Sequence, residues 1–311
     1  MTRAKSVVAL LALACSLLLF GCAGQSGGDA TEGSSETRSV AHDAGTTEIT
    51  GTPQRVVALE FSFVDALDML GTEPVGIADD EKSERVSQLL GEEIDYTSVG
   101  TRSEPNQEVI ASLQPDLIIA DTQRHSDVYD ALSEIAPTIV LDSREGSYQD
   151  MKDNTVTIAE ALGDRSAGED AVAAHEQRMA EIAAQVPEGE DRTVQLVTAR
   201  DELLRIHTSS SFVGSVMEAA GLRVAAQDDQ EPYEDASLER IAQVDPDVLF
   251  VSSDVDTPIT DSWAGNPVWE NMTAVSGGQV HDADRNLYTR FRGLSVAETV
   301  AQQVVDTMNG K

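Results

Sequence analysis

Six arginines carry the chemistry this sequence offers: Arg102, Arg124, Arg200, Arg205, Arg290 and Arg292. A guanidinium is planar, stays charged, and presents its N–H groups in a fork that matches a carboxylate bidentately. The chain has 21 Lys+Arg against 55 Asp+Glu, a formal net charge of −34, so a local set of arginines stands out. The chemistry it suits is the binding of an anion. One charge pair near 4 Å contributes about 4 kcal/mol at an effective dielectric of 20, before desolvation is subtracted. Several together would hold such an anion against the repulsion of the remaining acids. Each of the six follows or ends an expected strand, the edge where open α/β sheets take ligands. Arg102 and Arg124 fall in the first half of the chain and the others in the second. Replacing Arg102 or Arg290 with alanine should then weaken binding at least tenfold and leave thermal unfolding nearly unchanged. Arg55, Arg85, Arg178, Arg223 and Arg240 sit in helical or strand-entry contexts and are read as surface solvation.

Other chemistries are poorly served. Five histidines, His42, His125, His175, His207 and His281, show no His-x-x-x-His spacing. A lone histidine is more often a satisfied core or surface residue than a metal ligand. No protein metal site and no cofactor are expected, and His125 and His207 are read as neutral donors beside the arginines. Asp79-Asp80 and Asp228-Asp229 are paired acids inside polar runs and read as solvated loops. No nucleophile elbow, phosphate loop or zinc motif occurs, so catalysis is not expected. The acidity excludes nucleic acid, whose backbone needs a basic face.

The arginines need a frame. Arg55–Leu59 and Pro74–Ala78 read as strands, with an amphipathic helix from about Ser62 to Leu70 between them. Leu117–Ala120 and Ile139–Leu141 repeat the pattern, which argues for parallel sheets flanked by helices. The chain then echoes itself. Residues Glu108–Ile119 match Glu239–Phe250, each reading as a short helix, a Pro-Asp turn and a strand. Ser62-Phe63-Val64 pairs more loosely with Ser211-Phe212-Val213. Two α/β lobes of related design are the simplest account. Between them, about Ser166 to Gln185 reads as one long helix, spanning about 30 Å at 1.5 Å per residue. The expected division is an N-terminal lobe over 51–147, a connecting helical segment over 148–187 and a C-terminal lobe over 188–311.

The beginning of the chain sets an address. Arg3 and Lys5 precede the uncharged run Ser6–Phe20, shorter than a membrane span and suited to a signal peptide over 1–21. Leu19-Phe20-Gly21-Cys22 resembles the bacterial lipobox, whose cysteine is lipidated. Residues 22–50, rich in Gly, Ser, Thr and acids, read as a flexible tether. Cys15 and Cys22 are the two cysteines, so after cleavage neither a disulfide nor a cysteine nucleophile is possible.

Two α/β lobes on one helix behind a lipobox resemble the helical-backbone class of periplasmic binding proteins. Gly100-Thr101-Arg102-Ser103-Glu104-Pro105-Asn106 resembles a string that opens a binding loop in siderophore-binding members. Ala120–His125, Arg200–Glu202, Ile206–Thr208 and Tyr288–Gly293 are similar to strings in the members that bind ferric citrate. The resemblance implies a lipid-anchored protein on the extracytoplasmic face, either a Gram-positive surface or a periplasm. It would be a monomer that captures an iron(III) chelate, ferric citrate first, and hands it to an ABC importer permease with its ATPase. Glu108 and Glu239 would dock on that permease, one per lobe. Other siderophores (catecholate or hydroxamate), haem and vitamin B12 are the alternative ligands, and a chelatase-like enzyme is the alternative class. Aromatics at 4% of residues disfavour haem and B12.

Overall fold

The computed structural model describes residues 36–311 apart from position 254, and these form one compact unit. The expected signal peptide and Cys22 lie outside the described residues. No helix among the described residues is long and apolar enough to cross a membrane.

The described chain begins with strands β1 (Thr37–His42) and β2 (Gly45–Thr50), an antiparallel hairpin. This corrects the tether, which was expected to run to residue 50. Val40 and Ile49 point inward and are fully buried. Arg38 donates to the carbonyls of Glu160 and Gly51 at 2.8 and 2.6 Å, and Thr47 to that of Thr138 at 2.8 Å. Two inward apolar residues and these bonds suffice to dock a ribbon that is otherwise polar.

The first lobe continues through β3 (Val56–Ala58), α1 (Phe61–Met69), β4 (Gly76–Ile77), α2 (Ser83–Leu90), β5 (Thr97–Ser98) and α3 (Gln107–Ser112). It closes with β6 (Leu117–Asp121), α4 (Tyr129–Ile135) and β7 (Thr138–Leu141). The strands pair in the order β5-β4-β3-β6-β7, all parallel. Chain direction across the sheet therefore reverses between β3 and β6, and a crevice opens at their carboxyl ends.

The connection is a helical hairpin. Helix α5 (Tyr148–Leu162) starts in a capping box of Ser147 with Asp150 and ends at Gly163, whose φ of 99° is left-handed. Helix α6 (Arg165–Ala183) matches the expected long helix. Helix α5 fills the first part of the expected connecting segment, and its inward face buries Met151, Asn154, Thr155 and Ile158. A Cβ on Gly168 would lie 2.6 Å from the Ala159 Cβ, so glycine lets α5 and α6 touch.

The second lobe comprises β8 (Thr193–Ala199), β9 (Leu204–His207), α7 (Phe212–Ala219), β10 (Arg223–Val224), β11 (Tyr233–Ala236), α8 (Leu238–Val244) and β12 (Val248–Ser253). Single-turn helices α9 (Ile259–Ser262), α10 (Pro267–Glu270) and α11 (Thr273–Ser276) lead to β13 (Val280–Ala283). A π-helical turn over Asn286–Arg290 precedes the last helix, α12 (Leu294–Met308), which packs on α6, α7 and α1. The sheet runs β11-β9-β8-β12-β13, with β10 on β8. Its β8, β10, β12 and β13 pair parallel, while β9 and β11 add antiparallel pairs.

The internal repeat has a physical reason. Asn106 caps α3 and Ser237 caps α8. The aspartate of each Pro-Asp turn then accepts backbone N–H groups at the entry of the first strand of its lobe's main sheet, β3 or β8. Asp116 takes those of Gln54 and Arg55 at 2.8 and 2.7 Å, and Asp247 that of Thr193 at 2.7 Å.

Candidate functional site: an arginine-lined cleft

Glu60 follows β3 and begins α1 as its N-cap, yet its side chain makes no cap hydrogen bond. It turns into the crevice instead, where Oε2 accepts from Arg102 Nη1 at 3.1 Å and Oε1 lies 2.5 Å from Arg124 Nε. Burial pushes the Glu60 carboxyl up, Arg102 and Arg124 pull it back, and Asp121 adds to the rise.

Arg102 is held from several sides. Its loop leaves β5 at Gly100, whose φ of 95° and bridge to Pro105 fold residues 100–106 into a tight turn. Its Nε and Nη2 reach Asp80 Oδ2 at 3.1 and 2.9 Å, and its backbone N–H reaches Asp80 Oδ1 at 3.1 Å. The guanidinium also lies 4.6 Å from the ring centroid of Phe61. Burial alone would raise Asp80, but Arg102 and then Arg85 outweigh it and hold the carboxyl below its usual value.

Asp79-Asp80 is therefore no solvated loop. Asp79 is buried and accepts from Ser98 Oγ at 2.5 Å and Tyr96 OH at 2.9 Å. Asp80 and Glu81 both take left-handed φ values, 61° and 57°. Arg85, read as surface solvation, pairs with Asp80 at 2.7 Å and belongs to the same support. Asp228, by contrast, does serve a turn, accepting the N–H groups of Gln230 and Glu231.

At the end of β6, Asp121 organises two further arginines through the backbone. Its carboxylate accepts from the N–H groups of Gln123 and Arg124 on one oxygen and of Ser143 and Arg144 on the other, all at 2.8–2.9 Å. His125 does not line the cleft. It is fully buried, with Nδ1 accepting from Asp121 N and Nε2 facing the Arg102 carbonyl at 2.8 Å. Nε2 therefore carries the proton, and burial lowers the ring's basicity.

The second lobe supplies the opposite wall. Arg290 ends the π-helical turn and donates to Asn286 Oδ1. Arg292 donates to the carbonyls of Ser143 and Arg144 across the lobes, and to Tyr233 OH at 2.7 Å. Between them Phe291 meets Phe61 edge-on at 5.1 Å, so the floor joins both lobes. Arg200 lies in the β8–β9 turn, while Arg205 lies within β9, pairs with Asp235 at 2.8 Å and stacks over Tyr233. His207 does face the cavity and stays neutral. Burial, then Arg285, Arg292 and Arg205, push its pKa to about 3.

All six expected arginines line two adjoining cavities, of about 150 and 170 Å³, that share Arg124, Arg144, Arg285, Thr289 and Arg292. Arg144 and Arg285 were not foreseen. The cleft thus carries eight arginines and, on its lining, two acids, Glu60 and Glu145. Among the described residues no group of three His, Cys, Asp or Glu could hold a metal ion. Glu108 and Glu239 lie far from this chemistry in role: both are exposed, in the first turns of α3 and α8.

Two α/β lobes facing a polar, cationic crevice have the architecture of a solute-binding protein. The chain belongs to the periplasmic binding protein family, whose profile matches residues 56–287. It is 44% identical to the Fe(3+)-citrate-binding protein YfmC of Bacillus subtilis, over 98% of this chain and 97% of that protein. Identity to the Fe(3+) dicitrate-binding periplasmic protein FecB of Escherichia coli is 37%, over 86% and 88%. Among solved structures, Staphylococcus aureus SirA complexed with staphyloferrin B superposes with a TM-score of 0.75 at 27% identity, covering 88% of this chain and 99% of SirA.

Proposed function

We propose that this protein captures an iron(III) chelate, ferric citrate first among candidates, and delivers it to an ABC importer on the extracytoplasmic face. The observation that carries this reading is the convergence of eight arginines from both lobes on one crevice. A citrate chelate turns carboxylates outward, and guanidinium forks match them without touching the metal. The paired cavities are at the small end of ligand sites, which favours a compact chelate over haem or B12. The names of the relatives support the same choice.

In this reading Arg102, Arg124, Arg200, Arg205, Arg290 and Arg292 hold the chelate, joined by Arg144 and Arg285. Iron is cargo and no resident cofactor takes part. Glu108 and Glu239 dock on the permease, and a lipid on Cys22 keeps the monomer at the membrane. Fluorescence titration with ferric citrate, a hydroxamate and a catecholate chelate, each at low and high salt, tests the assignment. The carboxylate chelate should bind tightest and weaken as salt screens the arginines. Tighter, salt-independent binding of an uncharged hydroxamate chelate would overturn it.

A further inference from the structure

Glu60 is an unexpected occupant of a site for anions. An N-cap favours Ser, Thr, Asp or Asn, whose short side chains reach back to the helix amides. Glutamate at this position leaves the α1 amides without that bond and places a carboxylate between two arginines instead. Its exposure is only 3%. Oε1 lies at ion-pair distance from Arg124 Nε, but the N–H does not aim at it, and this buried oxygen accepts no hydrogen bond among the described residues. An acceptor with spare capacity therefore borders the cavity where a ligand carboxylate would arrive.

We propose that Glu60 is a built-in counter-anion, holding Arg102 and Arg124 while the cleft is empty and taking up one proton from solvent when an anionic chelate displaces it. The inference rests on the ligand reading above. As an ionised group Glu60 would repel each incoming carboxylate. As a carboxylic acid it becomes a donor, so the oxygen that now accepts no hydrogen bond can present O–H to the ligand. The two arginines are released to the chelate at the same moment.

The surroundings favour that exchange. From the first lobe Glu60 faces Arg102, Arg124 and Asp121, with Asp80 sharing Arg102. The far side of the cavity adds Arg144, Arg285, Arg290 and Arg292. Burial already pushes the carboxyl up, and the arginines beside it are what hold it back. A polyanion that engages those arginines removes the restraint and adds negative charge nearby. Both effects raise the carboxyl further, so the loaded state holds more protons than the empty one. Affinity must then rise as pH falls, by up to about tenfold per pH unit for one proton.

Isothermal titration of the protein with ferric citrate in buffers of different ionisation heat, at roughly pH 6 and 8, reads the proton count directly. The chelate's own protonation is common to wild type and Glu60→Gln, so their difference isolates the protein's proton. Wild type should take up about one proton more than Glu60→Gln, whose amide keeps a donor without the charge. The variant should also bind tighter than wild type at the higher pH and show the flatter pH profile. Equal proton uptake in both proteins refutes the role of Glu60 and leaves the ligand reading standing. Should the variant not fold, wild-type proton uptake no larger than that of citrate exchange onto a reference chelator refutes it equally. Absence of binding by wild type at either pH rejects the ligand reading, and this inference with it.

Discussion

Replacing Arg102 with alanine should destabilise the protein as well as weaken binding, although the sequence pointed to binding alone. The Arg102 side chain is 12% exposed, and its partners Glu60 and Asp80 are 4% and 18% exposed. Removing one member of a buried pair leaves an uncompensated charge, at a cost of about 3–5 kcal/mol. Here each acid keeps a second partner, since Arg124 stays beside Glu60 and Arg85 beside Asp80. The lower figure, about 3 kcal/mol, is therefore expected. At about 2–4 °C per kcal/mol for a domain of this size, melting should fall by roughly 6–12 °C. Thermal unfolding followed by circular dichroism at neutral and mildly acid pH measures it. The loss should shrink in acid, where Glu60 is protonated readily, and shrink again in a Glu60→Gln background. A melting temperature that hardly moves at neutral pH would refute the view that Arg102 compensates buried charge.

Two further outcomes follow from other contacts. Asp65 on α1 is fully buried and accepts from the Ser295 hydroxyl and N–H at the start of α12; burial raises its pKa from 3.8 to about 7, against the pull of Ser295. The unfolded chain releases this proton first, so the stability Asp65 confers is complete below about pH 4 and lost as pH rises through about 7. Denaturant unfolding should show wild type losing up to about 4 kcal/mol relative to Asp65→Asn over that interval, and a gap independent of pH would dismiss the assignment. Reversing both Glu108 and Glu239 to arginine should abolish chelate uptake by cells while the purified variant still binds. If those acids only support α3 and α8 through the helix dipole, worth about 0.3–1 kcal/mol each, transport persists and melting drops slightly.

The sheets were legible because buried parallel strands read as apolar runs, as in Leu117–Ala120 and Ile139–Leu141. The repeat was legible because the Pro-Asp turn performs the same bonding task in both lobes. The arginines stood out through their rarity. Glu60, Asp80 and Asp121 did not, because one more acid draws no attention among 55. A signal existed: Glu60 interrupts the apolar run Val56–Val64, and Asp79-Asp80 and Asp121 stand at carboxyl ends of strands. Arg144 belongs to a loop whose conformation is set by a distant partner, Asp121, and Arg285 heads the π-helical turn, an irregular element with no sequence signature. The hairpin β1–β2 hid behind polar composition, since Val40 and Ile49 are its only fully buried side chains. Residues 148–187 read as helical, but α5 did not stand out as a separate helix, because its inward face mixes Asn154 and Thr155 with Met151 and Ile158.

The cationic crevice opens in a body with a formal charge of −34. Beyond the roughly 8 Å Debye length of physiological saline an approaching anion senses little of either. Within that range it meets an acidic exterior before the guanidinium floor. Arrival and dwell are therefore governed by opposite signs. Dissolved salt loosens the floor's hold on a bound anion and, in the same stroke, lowers the barrier the exterior sets against entry. Encounter rate and residence time become separate dials, one written in exposed acids and the other in the buried Glu60–Arg102–Asp80 network. A lineage moving between dilute and saline habitats could retune the first without disturbing the second.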